Sequence, residues 1–165
     1  MLDIIIRPLQ PSDCIFLFNW RTLKDTVEAS VNPPPTWEKH CQYFEELLYK
    51  QNHGYDLVRV ADIGGVPVGI VVADANEHIN IMVSLHYRRQ GVAVALLKSA
   101  QTGKYPLRAF VKKGNKAAEQ LFLKCNFCLL GMYNDGYLFY WKATDSSSIN
   151  AEDIIKDASA HDYPG

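Results

Sequence analysis

"INIMVSLHYRRQGVAVALLKSA", Ile79 to Ala100, is the stretch on which the fold turns. Its start reads as a strand over 79–83, and its end as a helix beginning near Gly91. In that helix Ala93, Leu96, Leu97 and Ala100 recur at i, i+3, i+4, i+7. Between them lie Arg88, Arg89, Gln90 and Gly91. A strand that feeds a glycine turn into a helix leaves several N–H groups unpaired at the helix start. The macrodipole adds about half a positive charge there, and phosphate suits such a place. Gly91 allows approach to the backbone without a Cβ in the way. Ala93 is small for the same reason, and the two arginines can add charge-assisted bonds. Taken alone, "RRQGVA" also fits an ordinary solvated turn. Other nucleotide signatures are missing: the sequence has no G-x-G-x-x-G and no G-x-x-x-x-G-K-[ST].

Working outward, "LDIIIRP" reads as a first strand. Pro8 and Pro11 break it, and Ser12 or Asp13 caps a helix with Phe16, Trp20 and Leu23 at helical spacing. Pro33, Pro34 and Pro35 make a rigid spacer. Thr36 caps a second helix that presents Trp37, Cys41, Phe44 and Leu48 on one face. "YDLVRVAD" and "VPVGIVVAD" are strands joined by Gly64-Gly65 in a tight hairpin. After Ala100, "LRAFV" is a strand, and "NKAAEQLFLKC" a helix facing the core through Ala118, Leu121, Phe122 and Cys125. "CLLGMY" and "YLFYWK" flank Asn134-Asp135-Gly136 as a hairpin. The expected order is strand, two helices, three strands, helix, strand, helix, two strands. This is an α+β fold: one mixed, mostly antiparallel sheet of seven strands flanked by four helices. Residues 1–143 form the domain. Residues 144–165, polar and acidic, form an extension holding a short helix near Asn150, with Ile149 and Ile154 as a hydrophobic staple.

Composition narrows the function. The net charge of −1 removes the electrostatic reason to expect nucleic acid or an anionic membrane as partner. No apolar run is long enough to span a bilayer. Asp3 stands where a signal peptide would carry positive charge, so a cytoplasmic protein is expected. Cys125 and Cys128 form a C-x-x-C, but it falls at a helix end, where the macrodipole does not favour thiolate. Cys14 and Cys41 supply no second close pair. Reduced structural thiols and no metal are expected.

At this point the sequence resembles the GNAT superfamily of acetyl-coenzyme A-dependent N-acetyltransferases. Arg88, Gly91 and Ala93 match its Gln/Arg-x-x-Gly-x-Gly/Ala pattern, with Val83 at the place of its usual valine. Asn115, Ala118 and Phe127 match its Asn-x-x-Ala-x-x-x-Tyr-x-x-x-Gly-Phe block, and the element order agrees over residues 3 to 142. The resemblance implies acetyl-CoA as cosubstrate, its pantetheine arm lying between splayed fourth and fifth strands. Backbone groups near Met82 and Val83 would bond its amides. Arg88, Arg89, Gln90, Gly91, Val92 and Ala93 would hold the pyrophosphate, and Asn115 would touch the far side. Two positions depart from the pattern. Phe122 replaces the tyrosine often proposed to protonate the leaving thiolate, and Asn126 replaces a glycine.

The chemistry needs a neutral amine, an oxyanion donor and a departing thiolate. For the base, Glu77 aligns with a glutamate some members use through a water. A solvated residue is the other reading, and His78 and Asp74 are neighbours with similar claims. For the acid, Tyr133, Tyr137 and Tyr140 on the final hairpin are candidates, Tyr137 foremost. The front segment is similar to the branch acting on amino-sugar nucleotides, through Trp20, Arg21 and His40, with Thr22 where that branch has asparagine. An aromatic face can stack on a sugar and an arginine can bind phosphate. The expected function is acetyl transfer to a small-molecule amine by a monomer or homodimer. A protein N-acetyltransferase and a non-catalytic acyl-CoA-binding module are the alternatives.

Overall fold

The computed structural model describes residues 2–30, 32–102 and 105–142. Strand β1 (Ile5–Arg7) leads through a 3-10 turn (Pro11–Asp13) to helices α1 (Cys14–Thr22), α2 (Lys24–Ala29) and α3 (Trp37–Asn52). Strands β2 (Leu57–Ile63), β3 (Val66–Ala73) and β4 (Ile79–Val83) follow, and then α4 (Val92–Ala100). The described residues end with β5 (Leu107–Lys112), α5 (Lys116–Lys124), β6 (Cys128–Tyr133) and β7 (Gly136–Trp141). Thr36 caps α3, its hydroxyl accepting from the Lys39 N–H at 3.3 Å. Gly64 and Gly65, both at positive φ, make the β2–β3 turn. The C-terminal extension and its expected helix lie outside the described residues.

The fold is α+β as expected, but its element order carries one additional helix, and the sheet differs too. Among the described residues there are two sheets, ordered β1-β2-β3-β4 and β5-β7-β6, where one sheet of seven strands was expected. β4 pairs with β3 from Ile79 to Val83, and β5 with β7 from Leu107 to Lys112, all antiparallel. Among the described residues, β4 and β5 meet at a single parallel bridge, His78 with Arg108. Each strand is held by a full ladder to its own sheet, so the two follow separate twists and diverge beyond that bridge.

The described residues also hold five α-helices, not four, because α2 was not expected. Leu23 takes an extended conformation (φ −62°, ψ 138°) that stops α1. The next six residues hold little apolar periodicity and bury nothing. What holds α2 is distant in sequence: Arg88 reaches Thr26 at 3.4 Å, and the Lys112 ammonium donates to the Glu28 carbonyl at 3.1 Å.

The main core lies between the sheets and helices α4 and α5, with Val71, Leu96, Leu97, Val111, Phe122 and Phe139 at its centre. Full burial of a residue such as Leu96 or Leu97 contributes about 2 kcal/mol. A second core on the opposite face packs α1 and α3 on the first sheet through Leu17, Trp20, Phe44, Val58 and Ile70. The helix faces rotate slightly from expectation. α1 buries Leu17 and Trp20 while Phe16 is exposed, and α3 buries His40, Phe44 and Leu47 while Trp37 stands half exposed. Gly69 lets α4 settle on the sheet. A Cβ there would lie 2.9 Å from Leu96 Cδ1 and 3.0 Å from the Met82 carbonyl oxygen.

Candidate functional site

The divergence of β4 from β5 makes a gap, and strand alternation decides what lines it. At one end of β4 the Asp74 N–H donates to the His78 carbonyl, and at the other the Ser84 N–H donates to the Val68 carbonyl. Even-numbered residues of β4 therefore turn their backbone groups toward β3 and odd-numbered ones toward β5. The Glu77 carbonyl, which accepts from the Arg108 N–H at 2.8 Å, obeys the same parity. The groups facing the gap belong to Ile81 and Val83. Met82 points its backbone to β3 and packs its side chain against the second core. Sequence reasoning named Met82 and Val83 and missed Ile81. The parity of a strand follows from its pairing, which no local signal carries.

The gap opens toward the start of α4. Gly91 is the N-cap at φ 87°, and no side chain caps the helix. The first amide to bond back is that of Ala95, to the Gly91 carbonyl at 3.0 Å. Among the described residues the N–H groups ahead of it have no partner at the positive end of the helix. A Cβ at Gly91 would meet nothing within 4 Å, so the protein leaves the space in front of these amides open. Arg89 also takes a left-handed backbone (φ 58°), and its side chain is exposed. The Gln90 side chain donates to the His86 carbonyl at 2.9 Å and folds the loop on itself. Val92 is buried and anchors the helix, and Ala93 is half-buried. Arg88 turns back. Its Nε donates to the Val83 carbonyl at 3.2 Å, and its guanidinium reaches Thr26 and, at 3.9 Å, Asp25. It ties the end of β4 to α2. Asn115 lies beyond the end of β5 and caps α5, its side chain accepting from the Ala118 N–H at 3.2 Å.

At the closed end of the gap, Glu77 sits in left-handed backbone (φ 69°). Its carboxylate lies 3.4 Å from the Arg108 guanidinium. Tyr140 is 8% exposed, and its hydroxyl is buried with no hydrogen-bond partner among the described residues. Burial first, and the Glu77 carboxylate second, push the Tyr140 phenol above its ordinary range, against the opposing pull of Arg108. A buried hydroxyl that stays protonated and lacks an acceptor is a donor in waiting. Tyr137 points to the other face of β7, where it packs against the main core. Alternation separates the two tyrosines, because positions 137 and 140 differ by an odd number.

Trp20 is 7% exposed and belongs to the second core. Arg21 is half-buried at the last turn of α1, its guanidinium 4.6 Å from the Tyr43 ring centroid and 3.2 Å from His40 Nδ1. The sequence signal for Tyr43 was absent, since its partner lies on another helix. Among the described residues, no group of three or more His, Cys, Asp or Glu side chains could hold a metal ion. No helix there is long and apolar enough to cross a membrane.

A family model described as "Acetyltransferase (GNAT) family" matches residues 17–127, more than half of the chain. No curated protein matches by sequence. Among solved structures, the chain is similar to spermidine N-acetyltransferase from Vibrio cholerae in complex with CoA and spermine, at 16% identity and TM-score 0.64. That match covers 83% of this chain and 92% of the other. It is similar to YncA from Salmonella typhimurium, solved with its cofactor acetyl-CoA, at 16% identity and TM-score 0.69, covering 90% and 98%. It is also similar to the microcin C7 self-immunity acetyltransferase MccE in complex with acetyl-CoA and AMP, at 12% identity and TM-score 0.65, covering 85% and 92%. At these identities the likeness is one of fold.

Proposed function

The chain belongs to the acetyltransferase (GNAT) family, and from that premise we propose that it moves an acetyl group from acetyl-CoA to the amine of a small molecule, an amino-sugar nucleotide. The observation that carries the reading is the β4–β5 gap leading to the free amides of α4 behind Gly91. A chain-like thioester fits the gap, its arm bonding to the Ile81 and Val83 backbone as a strand would, and its diphosphate on the helix start. Arg88 serves this site indirectly by fixing Val83 and the loop.

In the reaction, the neutral amine attacks the thioester carbonyl and forms the C–N bond. The C–S bond then breaks, the sulfur leaves as thiolate and takes a proton, and the amine loses one. Proximity in the ternary complex supplies much of the rate. Glu77 is the candidate to receive the amine proton through water. Its contact with Arg108 also holds the closed end of the gap. For the thiolate, Tyr137 keeps its place as a candidate from the hairpin. Tyr140 has the stronger geometric support, since its hydroxyl is buried, without a partner among the described residues, and held in the protonated form. Phe122, in the main core, offers no proton.

The amino-sugar nucleotide is supported by Arg21, an arginine free to meet phosphate. The core position of Trp20 makes it a support for that arginine's helix. Two measurements test the proposal. Acetyl-CoA at 100 times its dissociation constant should stabilise the fold by about 2.7 kcal/mol, or on the order of 5 to 10 °C in Tm. Thiol release should follow addition of nucleotide-linked amino sugars and not of peptides. No thermal shift at saturation defeats cosubstrate binding, and peptide-dependent release would reassign the acceptor.

A further inference from the structure

Cys125 and Cys128 are the cysteines that stand close in sequence, and the fold sets them to different tasks. Cys125 is buried in the main core, while Cys128 is exposed at the start of β6. Cys14 and Cys41 are distant in sequence, and the fold brings them together. Cys14 opens α1, and Cys41 lies in the second turn of α3.

Two contacts outside the thiols fix this pairing. The Cys14 carbonyl lies 2.9 Å from Nε2 of His40, the residue directly before Cys41, so the first turn of α1 is held against α3. One turn away on each helix, Phe18 and Trp37 pack edge to face with ring centroids 5.0 Å apart. Within that contact the Cys41 side chain hydrogen-bonds to the Cys14 thiol. Both residues are half-buried and keep part of their surface open to a small reagent. No group of three or more His, Cys, Asp or Glu side chains among the described residues could hold a metal ion, so the chemistry open to the pair is that of two sulfurs. Burial first, and Cys41 second, hold the Cys14 thiol above its ordinary range. Cys14 therefore rests as a thiol until an oxidant meets it. Sulfurs at hydrogen-bond separation need a shift on the order of 2 Å to reach bonding distance, which side-chain rotation supplies.

We propose that Cys14 and Cys41 form a redox-modification site, which a low-molecular-weight disulfide converts to an intramolecular disulfide that staples α1 to α3. The conversion is two exchanges. One protein thiolate attacks a sulfur of the reagent, forms a mixed disulfide and expels one small thiolate. The second protein thiolate attacks the protein sulfur of that mixed disulfide and expels the other. Two protein thiols are oxidised and the reagent is reduced to two small thiols, which take the two protons that the protein thiols lose. The site belongs to the second core, on the face of the first sheet away from α4, and does not depend on the acetyl-transfer reading.

The test is incubation of the full, reduced chain with excess oxidised glutathione, followed by peptide mass mapping. Cys14 and Cys41 should be recovered joined to each other, with no glutathione on either, and dithiothreitol should restore both thiols. The bond closes a covalent loop from residue 14 to 41, and should raise the wild-type Tm by roughly 5 to 10 °C. Cys41→Ala, given the same treatment, should show no rise. The mapping uses the wild-type chain and decides the pairing even where the variant does not fold. Glutathione retained on Cys14 or Cys41, both thiols left unchanged, or a Cys125–Cys128 bond in place of theirs overturns the proposal. An oxidised wild type that melts no higher than the reduced chain overturns the fit of the bond to the packed helices.

Discussion

Replacing Gly91 separates a backbone requirement from a ligand requirement. Gly91 is at φ 87°, where an L-residue is strained by about 1 to 2 kcal/mol. Beyond its immediate chain neighbours, no described residue comes within 4 Å of the Cβ that Gly91→Ala would add, so backbone strain dominates the cost to the free protein. A loss of about 1 kcal/mol corresponds to roughly 2 to 4 °C in Tm at this chain length. Gly64 offers a matched control: it is at φ 61° in the β2–β3 turn, with an equally open Cβ position, away from the gap. Gly64→Ala should show a similar thermal loss. The two variants should part company when CoA is titrated calorimetrically. At Gly91 the new methyl occupies the approach to the α4 amides. Loss of one bond to a charged phosphate costs about 1.5 to 3 kcal/mol, which is roughly 10- to 150-fold in Kd. Gly64→Ala should bind CoA as wild type does. Gly91→Glu, adding bulk and like charge, should abolish binding. Equal CoA affinity in Gly91→Ala, Gly64→Ala and wild type would refute the argument that these amides receive the diphosphate.

Tyr140→Phe removes a hydroxyl that has no partner among the described residues, so the fold should gain about 1 kcal/mol in urea titration, while thiol release falls roughly 10²-fold. The raised Tyr140 pKa means that the fold favours the protonated phenol. Its contribution to stability is full below the unfolded value near 10 and is lost as pH rises through the higher folded value. The wild-type urea midpoint should therefore fall more steeply above about pH 10 than that of Tyr140→Phe. Gly69→Ala drives a methyl against Leu96 and the Met82 carbonyl, and should cost about 1 to 3 kcal/mol. A melting temperature within a degree of wild type would mean that α4 packs less closely on β3 than described.

Much of this protein was legible locally. Strand and helix types follow from periods of 2 and 3.6. The hairpins at Gly64-Gly65 and Asn134-Asp135 follow from residues that tolerate positive φ, and both are observed. The glycine-led start of α4 was legible because a helix start needs only consecutive residues, here Arg88 to Ala93. Helix α2 was not, since its supports, Arg88 and Lys112, are far along the chain. Neither was the division into two sheets, which depends on whether one parallel pair continues past its first bridge.

The sequence by itself determined the succession of strands and helices apart from α2, the apolar faces that must be buried, and the glycine-led start of α4. Those properties reside in neighbouring residues and their spacing. Only the tertiary structure decided that Ile81 faces the gap and Met82 does not, that Tyr140 and Tyr137 lie on opposite faces of one strand, and that His40 and Tyr43 meet Arg21. Such choices depend on strand parity and on contacts between distant segments, where a shift of one residue reverses every side chain.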